Sequence, residues 1–189
     1  NLLHGTLPIH LGKLSVLQYL NVGFNSLAGS VPTEFGHLTA LTWLGLYINS
    51  LTGTLPTELG RLTALELIYA NDNHLKGTLP TEIFSWTNVH IMIVSTNGFT
   101  GTLPSEMGEL HALTNLDVSF NSFSGTVPTE FSQLSKLTQF TFFYNNLTGS
   151  ASNALCEDSQ SWEILAGDCS EDDQGQVKLE CQCCTTCFR

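Results

Sequence analysis

The hydrophobic positions of this chain return with a period of 24 residues. In Leu41-x-x-Leu44-x-Leu46 the alternation after Leu44 is that of a half-buried strand, with Leu44 and Leu46 inward and Trp43, Gly45 and Tyr47 outward. Leu113-x-x-Leu116-x-Val118 repeats the pattern three units later. Between strands stand fixed columns of other residue types: Pro8, Pro32, Pro56, Pro80, Pro104 and Pro128, with Asn and Gly columns of the same period. Six complete units run without insertion from Leu3 to Asn146, and a half-unit follows from Leu147. The chain is therefore a repeat array over about three quarters of its length. Stacked strands at ~4.8 Å predict a parallel sheet roughly 30 Å long.

Each column has a physical reason. Asn25, Asn49, Asn73, Asn97, Asn121 and Asn145 follow the strands where the chain turns inward. An amide there satisfies backbone donors and acceptors that a turning loop leaves unpaired, so these six residues form a structural ladder. The Pro-Thr-Glu segment that follows reads as a short helix, with Pro at its start and Glu34, Glu58, Glu82, Glu106 and Glu130 in first turns. A solvated face favoured by the helix dipole explains these glutamates better than a cation ladder.

The motif LxxLxLxxNxLxGxxP, as in Leu113 to Pro128, resembles the plant-type leucine-rich repeat. The resemblance implies an α/β solenoid: a right-handed superhelix with a parallel concave β-sheet, a second short sheet after the Gly column, and short helical or 3-10 convex segments. Residues 1–149 form this solenoid and residues 150–189 a different, acidic and Cys-rich C-terminal cap.

Composition narrows the function. Only 12% of the 189 residues are charged, against 42% hydrophobic, which excludes an acidic disordered polymer. Gly, Pro, Asn and Thr interrupt every apolar run, so no membrane span is expected within the sequence. The net charge of -11 argues against nucleic acid as a partner. The charge is uneven, with nine acids against four bases through Gly149 and eight against two beyond it.

Cys156, Cys169, Cys181, Cys183, Cys184 and Cys187 all lie in the tail. An even count in a short segment covering the last coil's core fits three disulfides, with fifteen pairings open. Cys181-Gln-Cys183-Cys184-Thr-Thr-Cys187 also holds C-x-x-C twice. A zinc site would leave two thiols unused and has no histidine nearby, and a thioredoxin-like redox role lacks its βαβ context, so no metal or cofactor is expected. The tail ECQCCTTCF, with Leu155-Cys156 and Gly-Asp-Cys169, is similar to the caps of leucine-rich-repeat proteins in diatoms and related algae, which implies a secreted or cell-surface protein. Asn146-Leu-Thr148 is an N-glycosylation sequon in a loop expected to be exposed. At the other end Leu2, Leu3 and Leu7 open onto a coil without a cap. Three readings stand: a longer protein, a second subunit over the open end, or tolerated exposure.

No catalytic arrangement is present: there is no G-x-S-x-G, H-E-x-x-H, phosphate-cradling loop or close Cys/His pair, and the six histidines fall in different phases of the repeat. A non-enzyme is expected. Binding has a better candidate. The outward strand positions of the first four repeats carry Tyr19, Trp43, Tyr47, Leu67, Tyr69, Ile91 and Ile93, whereas later repeats are mostly polar there. Such a patch marks an interaction surface, although packing between neighbouring strands is the alternative. The function expected is non-enzymatic extracellular recognition or adhesion, with a protein or polysaccharide held on the concave aromatic face. A structural subunit that self-associates at its uncapped N-terminal end into a fibre or surface layer is the alternative. Ice binding through the ladder Thr6, Ser30, Thr54, Thr78, Thr102, Thr126 and Ser150 is a minor one.

Overall fold

The computed structural model of the chain describes residues 1–156, 161–169 and 179–188. Glu157, Asp158, Glu171, Asp172, Asp173, Lys178 and Arg189, which contribute to the charge of the tail, lie outside the described residues. Each 24-residue unit is one coil, and its two short strands join two parallel sheets. The first sheet is built from β2 (Tyr19–Asn21), β4 (Trp43–Gly45), β6 (Leu67–Tyr69), β8 (Ile91–Ile93), β10 (Asn115–Asp117) and β12 (Gln139–Thr141), in chain order. The register steps by one unit, as in Leu44↔Ile68↔Met92. The second sheet is built from β1 (His4–Thr6), β3 (Ser26–Gly29), β5 (Ser50–Gly53), β7 (His74–Gly77), β9 (Gly98–Thr102), β11 (Ser122–Gly125) and β13 (Asn146–Leu147).

The described tail residues continue this architecture. β15 (Ile164–Gly167) pairs with β12 and β17 (Thr186–Cys187) with β15, so the first sheet has eight strands among the described residues. Near the second sheet, β14 (Gly149–Ser150) pairs with β16 (Leu179–Glu180). The composition changes at residue 150, but hydrogen-bonded strands cross that point. Three disulfides hold the added coil: Cys156–Cys183, Cys169–Cys187 and Cys181–Cys184. The sulfurs of Cys156, Cys181 and Cys183 lie within 4.8 Å of one another, close enough for three metal ligands. A zinc ligand must be a free thiolate, and each of these sulfurs is engaged in a disulfide.

The core runs along the axis between the sheets and a row of short turns. Leu41, Leu44, Leu46, Leu65, Ile68, Leu113 and Leu116 are fully buried, as the alternation predicts. The Pro-Thr-Glu segments are 3-10 turns such as Thr33–His37, closed by i→i+3 bonds like Phe35 N–H to the Pro32 carbonyl (3.1 Å). Trp86 replaces the leucine found at this position in neighbouring units and is fully buried, its Nε1 donating to the Leu59 carbonyl at 2.8 Å. At the opposite end Leu2, Leu3 and Val16 are exposed on the first coil.

Two ladders tie coil to coil. Asn73 shows the first: its Oδ1 accepts from Leu51 N–H (3.0 Å), and its Nδ2 donates to the carbonyls of Leu46, Ala70 and Asn71 (3.1, 3.3 and 3.2 Å). Asn49, Asn97, Asn121 and Asn145 make the equivalent bonds. The second ladder precedes it. Phe24, Ile48, Asp72, Thr96, Phe120 and Tyr144 all have φ between 50° and 54°, a left-handed conformation that sends two successive N–H groups to the next coil. Phe24 and Asn25 thus donate to Tyr47 and Ile48 carbonyls at 3.0 and 3.1 Å. After the last repeat Asp168 takes over: its carboxylate accepts from Tyr144 N–H (2.8 Å) and Asn145 N–H (3.0 Å). A further turn, with φ near +80° at Gly53 and its equivalents, needs glycine.

Candidate functional site

The outward face of the eight-stranded sheet brings most of the expected patch together. Trp43, Tyr47, Leu67, Tyr69 and Ile93 line a groove of about 490 Å³, to which Phe24, Ile48 and Asn71 also contribute. The rings interlock edge to face: Phe24 on Tyr47 at 5.2 Å and Tyr47 on Tyr69 at 6.1 Å between centroids. Tyr19, on the edge strand and well exposed, meets Trp43 edge-on at 6.4 Å outside the groove. Ile91 sits beside Leu67 on β8 and is half-buried, but does not line the groove.

Small residues shape this floor. A Cβ at Gly23 would stand 2.5 Å from the Tyr47 ring, so only glycine lets that ring lie across the preceding coil. Asn21 anchors the same ring, its Nδ2 donating to the Tyr47 hydroxyl at 3.4 Å while its Oδ1 accepts from Gly23 N–H at 2.9 Å.

One atom of the site is out of balance. Among the described residues, Trp43 Nε1 is a buried donor with no acceptor. An unmade bond of this kind costs about 1–3 kcal/mol. Trp86 and Trp162, by contrast, each donate to a carbonyl at 2.8 Å.

The sequence reading missed the left-handed column, because alternation assigns only every second residue outward and ends at Gly23, Tyr47 and their equivalents, one residue short of it. Phe24 (56% exposed), Phe120 (46%) and Tyr144 (47%) stand in that column. The latter two form a second aromatic cluster with Phe143 and Phe188 in repeats expected to be mostly polar. Phe120 lies 4.7 Å from Tyr144, and Phe143 stacks on Phe188 at 4.1 Å. The signal in the sequence was a large apolar residue immediately before a ladder Asn, at Phe24, Ile48, Phe120 and Tyr144.

On the second sheet the hydroxyl column from Thr6 to Thr126 is exposed, interrupted beside it by His74 and Lys76. A shallow groove of about 520 Å³ there is lined by Thr78, Thr102 and Thr126 with Leu79, Leu103 and Pro104. It is slightly larger than the aromatic groove, but no aromatic ring lines it. Asn146 and Thr148 of the sequon are both exposed. Among the described residues no helix is long and apolar enough to cross a membrane.

Comparisons with known proteins agree with the architecture. The leucine-rich-repeat family model matches residues 16–38 and 112–134. A solved structure of a TDR receptor is similar over 90% of this chain and 29% of its own, with 33% identity and a TM-score of 0.83. The leucine-rich-repeat ectodomain of the Arabidopsis receptor kinase HAESA, in complex with an N-terminally extended IDA peptide hormone ligand, is 27% identical over 93% of this chain and 31% of its own (TM-score 0.78). A plant ice-binding protein is 26% identical over 87% of this chain and 52% of its own (TM-score 0.77). The chain thus spans less than a third of the two receptor structures and about half of the ice-binding protein. No curated protein sequence matches the chain.

Proposed function

We propose that the chain, a plant-type leucine-rich-repeat solenoid, is a non-catalytic extracellular recognition module that holds a polypeptide segment in the aromatic groove of coils one to four. The observation that carries this reading is the groove itself: Phe24, Trp43, Tyr47 and Tyr69 line a preformed apolar trough on the outward face of the sheet, with Asn71 beside them. An extended polypeptide fits such a trough, with apolar side chains on one face for the rings and backbone amides within reach of Asn71. Tyr and Trp are also the side chains that dominate binding energy at protein interfaces. The rings are held by the strands and by Gly23 and Asn21, so little order has to be acquired on binding. The peptide-bound HAESA ectodomain supports the ligand class, and three disulfides support an oxidising, extracellular setting.

The test is selection of a displayed library of random 12-residue peptides on the full chain, counter-selected against Trp43→Ala/Tyr69→Ala. Peptides that bind the natural chain at least about tenfold more tightly than the variant are expected. A library that yields no such peptide, while cell-wall polysaccharides bind and depend on the same two rings, would replace the polypeptide by a glycan.

A second reading has its own observation, the exposed hydroxyl column of the second sheet and the similarity to an ice-binding protein. Ordered hydroxyls at one strand spacing would present a regular array to ice. Recrystallisation inhibition lost in Thr78→Lys/Thr102→Lys would establish it. Ice growth unaffected by the natural chain removes it.

A further inference from the structure

Four of the six left-handed positions hold large apolar side chains: Phe24, Ile48, Phe120 and Tyr144. A bulky residue there is a conformational outlier, and Asn or Gly would adopt the same backbone at lower cost. These side chains are also exposed, so burial does not repay the cost. Strain combined with exposure points to a function at these positions. The middle of the column differs, with Asp72 and Thr96. The column therefore has two apolar ends and a polar centre. One end is continuous with the groove through the Phe24–Tyr47 contact, and the other is the Phe120–Phe143–Tyr144–Phe188 cluster.

We propose that the two ends are anchors for one ligand, an extended basic polypeptide segment that runs along the left-handed column and crosses its acidic centre. The proposal rests on the peptide reading above and adds the second site, the spacing and the charge. Ile48 and Phe120 are three coils apart and Phe24 and Tyr144 five, about 14 and 24 Å at ~4.8 Å per coil. An extended segment covers these spans in about four and seven residues at ~3.3 Å each. The charged residues of the outward and left-handed columns over coils one to six are Asp72 and Asp117, with no Lys or Arg among them. Asp72 is exposed and stands between Ile48 and Phe120, while Asp117 is half-buried in the coil of Phe120 with its Oδ1 accepting from Ser119 N–H and Oγ–H, so a Lys or Arg between the anchors finds the Asp72 carboxylate and no repulsion. Two linked anchors make the second contact intramolecular and raise the affinity above that of either alone.

The experiment uses peptides selected from the random 12-residue library on the full chain. Their affinities are measured for the natural chain, for Phe120→Asn/Tyr144→Asn, and for Asp72→Lys. Asn tolerates the left-handed backbone and Asp72 is exposed, so all three proteins keep the fold. Expected are sequences with two large apolar residues four to seven apart and Lys or Arg between them. These bind about tenfold or more weakly to Phe120→Asn/Tyr144→Asn and several-fold more weakly to Asp72→Lys. Peptides that lose affinity in Trp43→Ala/Tyr69→Ala but bind Phe120→Asn/Tyr144→Asn unchanged would overturn the bridging proposal and leave the groove intact. Acidic centres, or tighter binding to Asp72→Lys, would overturn the charge assignment. A selection that returns no peptide would remove both proposals together.

Discussion

Replacing Asn73 by Ala should destabilise the solenoid by about 3–4 kcal/mol, several times the effect of the same change at Asn25. Asn73 is 6% exposed, and its amide makes four bonds. The substitution strands the Leu51 N–H inside the core, worth about 1–3 kcal/mol, and removes donors to three carbonyls at up to about 1 kcal/mol each, partly offset by relaxation. Asn25 performs the same task on the first coil, where its acceptor oxygen serves the exposed Leu3 N–H and water can take over. About 1 kcal/mol is expected there. Urea unfolding monitored by circular dichroism, with matched slopes, reads both values. Equal losses at the two positions, or less than about 1 kcal/mol at Asn73, would refute the claim that the ladder acts by satisfying buried backbone groups.

Asp168→Ala should cost about 2 kcal/mol by uncapping Tyr144 and Asn145, measured by the same unfolding, with the loss of amide protection concentrated at those two residues. Reduction with a dithiol should lower the melting temperature, because opening the Cys156–Cys183 and Cys169–Cys187 links releases the added coil, at about 2–5 kcal/mol per link. An unchanged melting temperature after verified reduction would show that the tail does not stabilise the repeats. Ile48→Asn should stay within about 1 kcal/mol of the natural chain, since relief of left-handed strain offsets lost contact, yet weaken selected peptides about fivefold or more. Calorimetry and peptide titration separate the two effects.

The repeat made most of the fold legible. A strict 24-residue period fixes where Leu44 and Leu46 point, and the Asn column announces its bonds because a turning backbone has few other partners. The aromatic patch was readable for the same reason, from alternation around Trp43 and Tyr47. What lay beyond reach depended on backbone conformation or on distant contacts. Alternation says nothing about Phe24 or Phe120, which sit past the strand in a left-handed turn. The role of Asp168 needed the tail's position in space, since it substitutes for backbone carbonyls of a coil whose sequence no longer follows the repeat. The unmatched Trp43 donor likewise follows from which side chains cover it, and not from its place in the period.

The three tryptophans provide the most direct test of the groove. Their indole N–H resonances in a proton–nitrogen correlation spectrum give one probe at the site and two controls, because Trp43 lines the groove while Trp86 and Trp162 lie outside its lining and donate to the carbonyls of Leu59 and Leu155. On titration with a selected peptide, the Trp43 signal should shift as the groove its ring lines is covered, while the other two stay in place. A peptide that binds with the Trp43 signal unmoved, or with only Trp86 or Trp162 shifting, would contradict the account.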